Sequence, residues 1–244
     1  PGTLRRIMTN AGALAVGGII AQLAFVSVEA LIARRMGVSA YATYSSAYAF
    51  MMLMVHAIDM GMQWQLIQDG SRDPKSVRGN LGAMMVAKVG LFILAYPITL
   101  VLFRVFNLGT DEISFFQLFG LFALVLGIGD LLSGVYIARQ RMEFNALFQA
   151  AVPIVIFVCV WLFVVPAPTL THLALAFVGG GLVVNLIWGW LTWARERPTI
   201  KLAHVVPTPA KSLHYGITDI LFNVYVRIVE RRLEKDPARR FQSA

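Results

Sequence analysis

Six long apolar runs follow one another along the chain, and short polar segments separate them. The runs cover residues 11–33, 41–67, 81–103, 113–137, 146–166 and 170–194. Each is long enough to cross a hydrocarbon core of about 30 Å, which takes about 20 helical residues. An open sheet would leave backbone groups unpaired in lipid, and the runs are too continuous for barrel strands. The pattern therefore predicts an all-α fold, a polytopic membrane helix bundle with six transmembrane helices and the start of a seventh.

Basic residues between the runs fall almost entirely on alternate loops. If the N-terminus lies in the cytoplasm, the cytoplasmic side carries eleven Lys and Arg outside the runs and the opposite side carries three. The cytoplasmic set is Arg5, Arg6, Arg72, Lys75, Arg78, Arg139, Arg141, Arg195, Arg197, Lys201 and Lys211, and the opposite set is Arg34, Arg35 and Arg104. Cytoplasmic loops of membrane proteins carry such an excess. The charge pattern therefore predicts a cytoplasmic N-terminus.

Turn-forming residues mark the boundaries between the predicted helices. Arg34–Gly37 is predicted to close the first helix, Asp69–Pro74 to form the loop after the second, and Pro166–Pro168 to separate the fifth from the sixth. Three regions are predicted: residues 1–194 as the six-helix bundle, 195–212 as a cytoplasmic linker, and 213–244 as an incomplete seventh helix with a basic tail.

Composition and charge agree with a membrane protein. Hydrophobic residues make up 58% of the chain and charged residues 14%, below the share of about 25% in soluble domains. The net charge of +8 would suggest nucleic-acid binding in a soluble domain, but most of the excess lies in the predicted cytoplasmic loops, where anionic lipid attracts it. The sequence contains no nucleophile elbow, metal-ligand spacing or phosphate-binding glycine loop. We therefore predict no enzymatic activity, no cofactor, no metal and no nucleic-acid partner.

Ionisable residues inside the runs are the candidates for function, because a charge in lipid needs a partner or water. Asp59, Lys88 and Asp130 lie at a similar distance from the predicted cytoplasmic boundary, about 12 Å by the helical rise. They are predicted to form a buried Asp–Lys–Asp cluster, either as a gate or cavity wall or as a salt bridge that joins three helices. His56 shares the second run with Asp59, where a proton relay and a packed neutral imidazole both fit.

Short motifs in the right order resemble a known family. Leu31–Tyr44, which contains Arg34-Arg35-Met36-Gly37 and Tyr41-Ala42-Thr43-Tyr44, resembles the end of the first helix in polysaccharide-export flippases, the O-antigen and lipid-linked oligosaccharide translocases. Ile58–Met62 resembles that family's motif at the end of the second helix, and Gly216–Ile228 resembles the opening of its seventh helix. The resemblance covers about residues 8–228, with Ala42 in place of the family's usual Gly.

The resemblance implies half of a transporter. The family has two six-helix halves that rock about a central cavity, with substrate between them near mid-membrane. Its implied substrate is an undecaprenyl-pyrophosphate-linked sugar, moved from the inner to the outer leaflet of a bacterial inner membrane during lipopolysaccharide or polysaccharide biosynthesis. Arg227 would then lie inside the membrane and bind the pyrophosphate through its guanidinium. If the seventh helix does not form, Arg227 lies at the membrane surface instead.

The C-terminal tail has a different character. Leu233–Phe241 resembles the last helices of bacterial Ser/Thr kinase domains, but the glycine-rich loop, catalytic loop and metal site of a kinase are absent from the sequence. We interpret the tail as a fusion junction, a truncation or a gene-model artefact, or as a short basic helix on the membrane surface.

Three functions fit the sequence. The first is a half-transporter for lipid-linked oligosaccharide, and the second is a cation-coupled drug or metabolite exporter of the same superfamily. The third is a truncated fragment that does not transport. A homodimer or a partner chain that supplies the second half would complete the cavity.

Overall fold

The computed structural model describes residues 2–105, 109–199 and 208–217, and all regular secondary structure in these ranges is helical. The helices are α1 (Gly2–Asp59), α2 (Met62–Arg72), α3 (Ser76–Val105), α4 (Thr110–Ala138), α5 (Met142–Val164), α6 (Leu170–Glu196) and a final helical segment over residues 208–217. The predicted all-α class is confirmed for this part of the chain. The last segment starts before Leu213, where the seventh helix was predicted to begin.

Helix α1 is a hairpin of two helices that reverses at Gly37. Gly37 has φ 83° and ψ 176°, a backbone region that is essentially restricted to glycine. The rings of Phe25 and Tyr48 are 5.4 Å apart, whereas a straight helix would separate these residues by about 34 Å. The predicted end of the first helix at Arg34–Gly37 is therefore confirmed.

The second apolar run is interrupted, which corrects the prediction of one continuous helix over residues 41–67. Met60 and Gly61 both have positive φ, 46° and 81°, and they separate α1 from α2. Helix α2 then continues through Arg72 and shortens the loop predicted at Asp69–Pro74 to three residues, 73–75. Hydrophobic content does not report backbone dihedrals, so the apolar pattern of the run alone did not predict the break.

Five of the described helices are long and apolar enough to cross a membrane, and the first of them is the hairpin. The protein is therefore a multi-pass helical membrane protein. Large apolar side chains are exposed on the outer faces of the bundle, for example Ile19, Leu94 and Leu186. Their exposure is expected where lipid is the solvent.

Helix α4 is the centre of the bundle, because it contacts each of the other five numbered helices. Its aromatic residues Phe119 and Phe122 pack against Phe177 of α6, and Tyr44 of α1 packs against Phe119 and Phe177. A smaller apolar cluster joins α2, α3 and α4 around Met62, Leu81 and Leu131. The aromatic contacts join α1 to α4 and α6, and the smaller cluster packs α2 against α3 and α4 just after the break.

The basic loops after α2, α4 and α6 lie at the same end of the bundle. The backbone N–H of Thr199, just after α6, donates to the carbonyl of Arg78 in the first turn of α3, at 2.9 Å. The turn between α4 and α5 lies at the same end, because α4 and α6 pack along each other and both finish there. We call this the basic end; its cations are Arg72, Lys75, Arg78, Arg139, Arg141, Arg195 and Arg197.

Candidate functional site

A buried ion pair joins the end of α1 to α3. The Nζ of Lys88 lies 2.6 Å from Oδ1 of Asp59 and donates to the carbonyl oxygen of Gly127 in α4, also at 2.6 Å. Lys88 is fully buried, whereas the Asp59 side chain keeps 17% of its surface exposed. One ammonium group therefore connects three helices, and a buried charge of this kind needs such partners.

The other carboxylate oxygen of Asp59 stabilises the helix break. Its Oδ2 accepts a hydrogen bond from the backbone N–H of Gly61 at 3.1 Å. This bond satisfies a donor that the left-handed turn leaves without a helical partner. Gly61 takes φ 81° and ψ 9°, which glycine adopts without steric cost. The same aspartate therefore neutralises Lys88 and stabilises the turn.

The helical segment over residues 208–217 packs directly on the break. A Cβ on Gly61 would collide with the backbone of Gly216 and would lie 2.7 Å from the carbonyl oxygen of Ser212. A Cβ on Gly216 would in turn lie 2.9 Å from the carbonyl carbon of Met60. Ser212 is fully buried. Two glycines thus allow backbone to approach backbone, as they do between membrane helices in general.

A cavity of about 320 Å³ opens beside the break. His56, Asp59, Gln63, Trp64 and Asp130 line it together with Leu213, Gly216 and Ile217 of the last helical segment. His56 Nδ1 is 2.7 Å from the carbonyl oxygen of Met52 in its own helix. Asp130 forms no salt bridge with any described residue. Two carboxylates therefore line the cavity: that of Asp59, which is paired with Lys88 behind the wall, and that of Asp130.

The structure brings four of the five predicted candidates to one place. Asp59 and Lys88 are in contact, and His56 and Asp130 line the same cavity as Asp59. Arg227, the fifth candidate, lies outside the described residues. Within the ranges that are described, no three side chains of His, Cys, Asp or Glu are arranged to hold a metal ion.

Three features of the site were missed by sequence reasoning. They are the carbonyl of Gly127, the break at Gly61 and the close contact with Gly216. The glycine at position 61, next to the intramembrane Asp59, was the available signal for the break. No sequence signal identified Gly127, because a backbone carbonyl is common to every residue.

A comparison with the sequence models of protein families tests the resemblance that the motifs suggested. The sequence model of a family described as polysaccharide biosynthesis protein matches residues 7–229. The chain belongs to this family. No curated protein matches it.

Solved transporter structures have the same fold. An outward-facing multidrug resistance MATE family transporter of the MOP superfamily superposes with a TM-score of 0.68 at 13% identity, over 90% of this chain and 53% of that one. A MOP superfamily transporter from Pyrococcus furiosus, described by a reversed polarity of its binding pocket, gives 0.68 at 12% identity, over 90% and 53%. A MATE protein in complex with MaD3S gives 0.67 at 14% identity, over 90% and 54%. The chain thus spans about half the length of these transporters.

Proposed function

We propose that this chain is one half of a non-enzymatic transporter that moves a lipid-linked oligosaccharide across a bacterial inner membrane. The observation that carries the proposal is the match to the polysaccharide biosynthesis family over residues 7–229. The fold of the chain covers about half of each similar MOP superfamily structure, and transporters built from two repeats hold their substrate between the repeats. The proposed substrate is an undecaprenyl-pyrophosphate-linked sugar, as the family resemblance implies.

The proposed topology has six crossings and a cytoplasmic N-terminus. The hairpin at Gly37 supports two crossings within α1, and α3 to α6 supply four more. Placing the basic end in the cytoplasm agrees with the positive-inside rule. The helical segment over residues 208–217 would then be the start of a seventh helix that leaves the cytoplasmic side.

Within this transporter, we assign different roles to the charged residues of the site. Lys88 is fully buried and bound by two oxygens, so its proposed role is to hold α1, α3 and α4 together. Asp130 and His56 face the cavity, so their proposed role is in the cavity wall or gate. Arg227 keeps its proposed role as a pyrophosphate ligand.

A cation-coupled exporter is the second candidate function. The cavity has an excess of carboxylate, and a carboxylate that is not already paired attracts a cation and repels a pyrophosphate. The similar MATE structures also support this candidate. In either case a second copy of the chain or a separate partner would supply the other half of the cavity.

Transport by the reconstituted chain tests both functions. Proteoliposomes would carry a fluorescent undecaprenyl-pyrophosphate oligosaccharide, and a membrane-impermeant quencher would report its movement between leaflets. Parallel vesicles would measure uptake of a cationic dye under a sodium or proton gradient. The variant Asp130→Asn is compared with Asp73→Asn, which changes an exposed loop carboxylate.

We expect the lipid-linked oligosaccharide to move between leaflets. Asp130→Asn should slow this movement severalfold, because it removes the charge through which Asp130 would act in the gate, while Asp73→Asn has no effect. Dye uptake without lipid movement would favour the exporter instead. If neither probe crosses the membrane, the isolated chain is not a transporter, and the fragment or partner-dependent interpretation replaces the proposal.

A further inference from the structure

A second cavity, of about 480 Å³, lies at the basic end between α4, α5 and α6. Its polar lining consists of Tyr136, Arg139, Arg141, Thr192, Arg195 and Glu196. We call it the basic pocket. It is separate from the cavity at the helix break, since no residue lines both.

The basic pocket has two cations in excess. Arg139 is neutralised by Glu196, with Nε donating at 3.0 Å and a second nitrogen at 2.5 Å to the two carboxylate oxygens. Arg141 and Arg195 form no salt bridge with any described residue. Glu196 is the only carboxylate that lines the pocket among the described residues, and both of its oxygens are bound.

An aromatic ring supports both excess guanidinium groups. The Cζ atoms of Arg195 and Arg141 lie over the ring of Phe144, at 4.9 Å and 5.9 Å from its centroid. Phe144 is itself stacked on Tyr136, with centroids 5.6 Å apart and an interplanar angle of 21°. Stacking on an aromatic face orients a guanidinium while its N–H donors remain available. The Tyr136 oxygen accepts from the Thr192 hydroxyl at 3.2 Å, which fixes the ring at the base of this stack.

We propose that the basic pocket binds a phosphate group at the membrane surface of the basic end. Guanidinium groups match phosphate oxygens through paired N–H donors, and two excess positive charges neutralise one phosphate dianion or a pyrophosphate edge. The pocket lies where α4 and α6 end and α5 begins, which is the level of lipid headgroups for helices of this length. An anionic lipid headgroup and a soluble phosphate share this chemistry. The inference does not rest on the proposed transport function.

Calorimetric titration of the purified full chain in a neutral detergent tests the proposal. One arm adds dihexanoyl phosphatidylglycerol and the other adds inorganic pyrophosphate, both at constant ionic strength. The variant Arg141→Gln/Arg195→Gln removes the two excess cations. Its matched control, Arg72→Gln/Lys75→Gln, removes two exposed cations of the same end that do not line the pocket.

We expect at least one probe to bind to a single site. The pocket variant should raise the Kd of that probe about tenfold or more, because it loses charge-assisted hydrogen bonds. The control should bind like the wild type. Binding of the lipid alone would identify a headgroup site, binding of pyrophosphate alone would identify a soluble ligand, and binding of both would identify a general phosphate site.

Two results would overturn the proposal. The first is that neither probe binds. The second is that the control loses as much affinity as the pocket variant, which would show that net charge alone acts. Arg141 and Arg195 are exposed, so the variant should fold; its thermal midpoint without ligand, compared with that of the control, verifies this.

Discussion

At the residue scale, the function of Lys88 follows from its surroundings. It is fully buried between Asp59 and the carbonyl of Gly127. Removing one partner of a buried pair costs more than the pair contributes, because it leaves the other charge uncompensated. The residue should therefore matter for stability before it matters for transport.

We predict that Lys88→Met lowers the free energy of unfolding by about 3 kcal/mol, toward the low end for a broken buried pair, since the partly buried Asp59 is left without its counter-ion. The double variant Asp59→Asn/Lys88→Met should recover much of this loss, because the uncompensated carboxylate is gone. Chemical unfolding in detergent micelles measures both. Equal losses for the single and double variants would contradict the argument, since the uncompensated charge would then not be the cause.

At the element scale, the break at Met60–Gly61 positions the candidate site. It ends α1 just after Asp59, begins α2, and provides the surface on which residues 208–217 pack. In membrane helices, interrupted backbone is found where protein or a water-filled cavity surrounds it. Here protein backbone surrounds part of the break, because Gly216 contacts it, and the 320 Å³ cavity that Gly216 also lines opens beside it.

We predict that Gly61→Ala destabilises the protein by at least about 1–2 kcal/mol, the cost of a left-handed conformation for an L-residue. It should also displace the 208–217 segment, because the new Cβ collides with Gly216. The measurement is the rate at which a maleimide labels Ser212→Cys, a buried position, in a Cys159→Ser background. Labelling should accelerate in Gly61→Ala.

The matched control is Gly90→Ala. A Cβ on Gly90 meets no atom within 4 Å, and its position inside α3 is one that alanine favours. It should leave the labelling rate unchanged and should not destabilise the protein. Similar labelling in both glycine variants would mean that the contact with Gly216 does not hold the segment in place.

At the scale of the whole molecule, the basic loops after α2, α4 and α6 lie at one end of the bundle. The uneven distribution of Lys and Arg along the sequence therefore makes one end of the bundle basic. Seven Arg and Lys residues mark the basic end, and the Gly37 turn lies at the opposite end. This arrangement gives the proposed orientation a direct experimental test.

We predict that Ser39→Cys, near the Gly37 turn, is labelled by a membrane-impermeant maleimide in intact cells, whereas Ser71→Cys is labelled only after the cells are lysed. Both serines are exposed, and both variants would carry Cys159→Ser, since Cys159 is the single cysteine of the chain. The positive-inside rule is the physical reason. The opposite pattern would invert the topology, and labelling of both positions in intact cells would rule out the proposed number of crossings.

Four features could be predicted from the sequence: the helical class, the turn at Gly37, the division at Pro166–Pro168 and the residues that carry charge into the bundle. These follow from local physics. Apolar runs must satisfy their backbone hydrogen bonds internally in lipid, and glycine and proline limit which dihedrals the chain adopts. The similar depth of Asp59, Lys88 and Asp130 also followed from helical rise alone.

Which of these groups contact one another depends on the tertiary structure. The break at Met60–Gly61 was hidden because side-chain hydropathy does not encode φ. The carbonyl of Gly127, the contact between Gly61 and Gly216, and the shared ring under Arg141 and Arg195 all join residues from different helices. Such contacts depend on how the helices rotate and pack against one another. In a membrane, that packing depends on close fit and polar pairing, because apolar faces gain little by leaving lipid for protein.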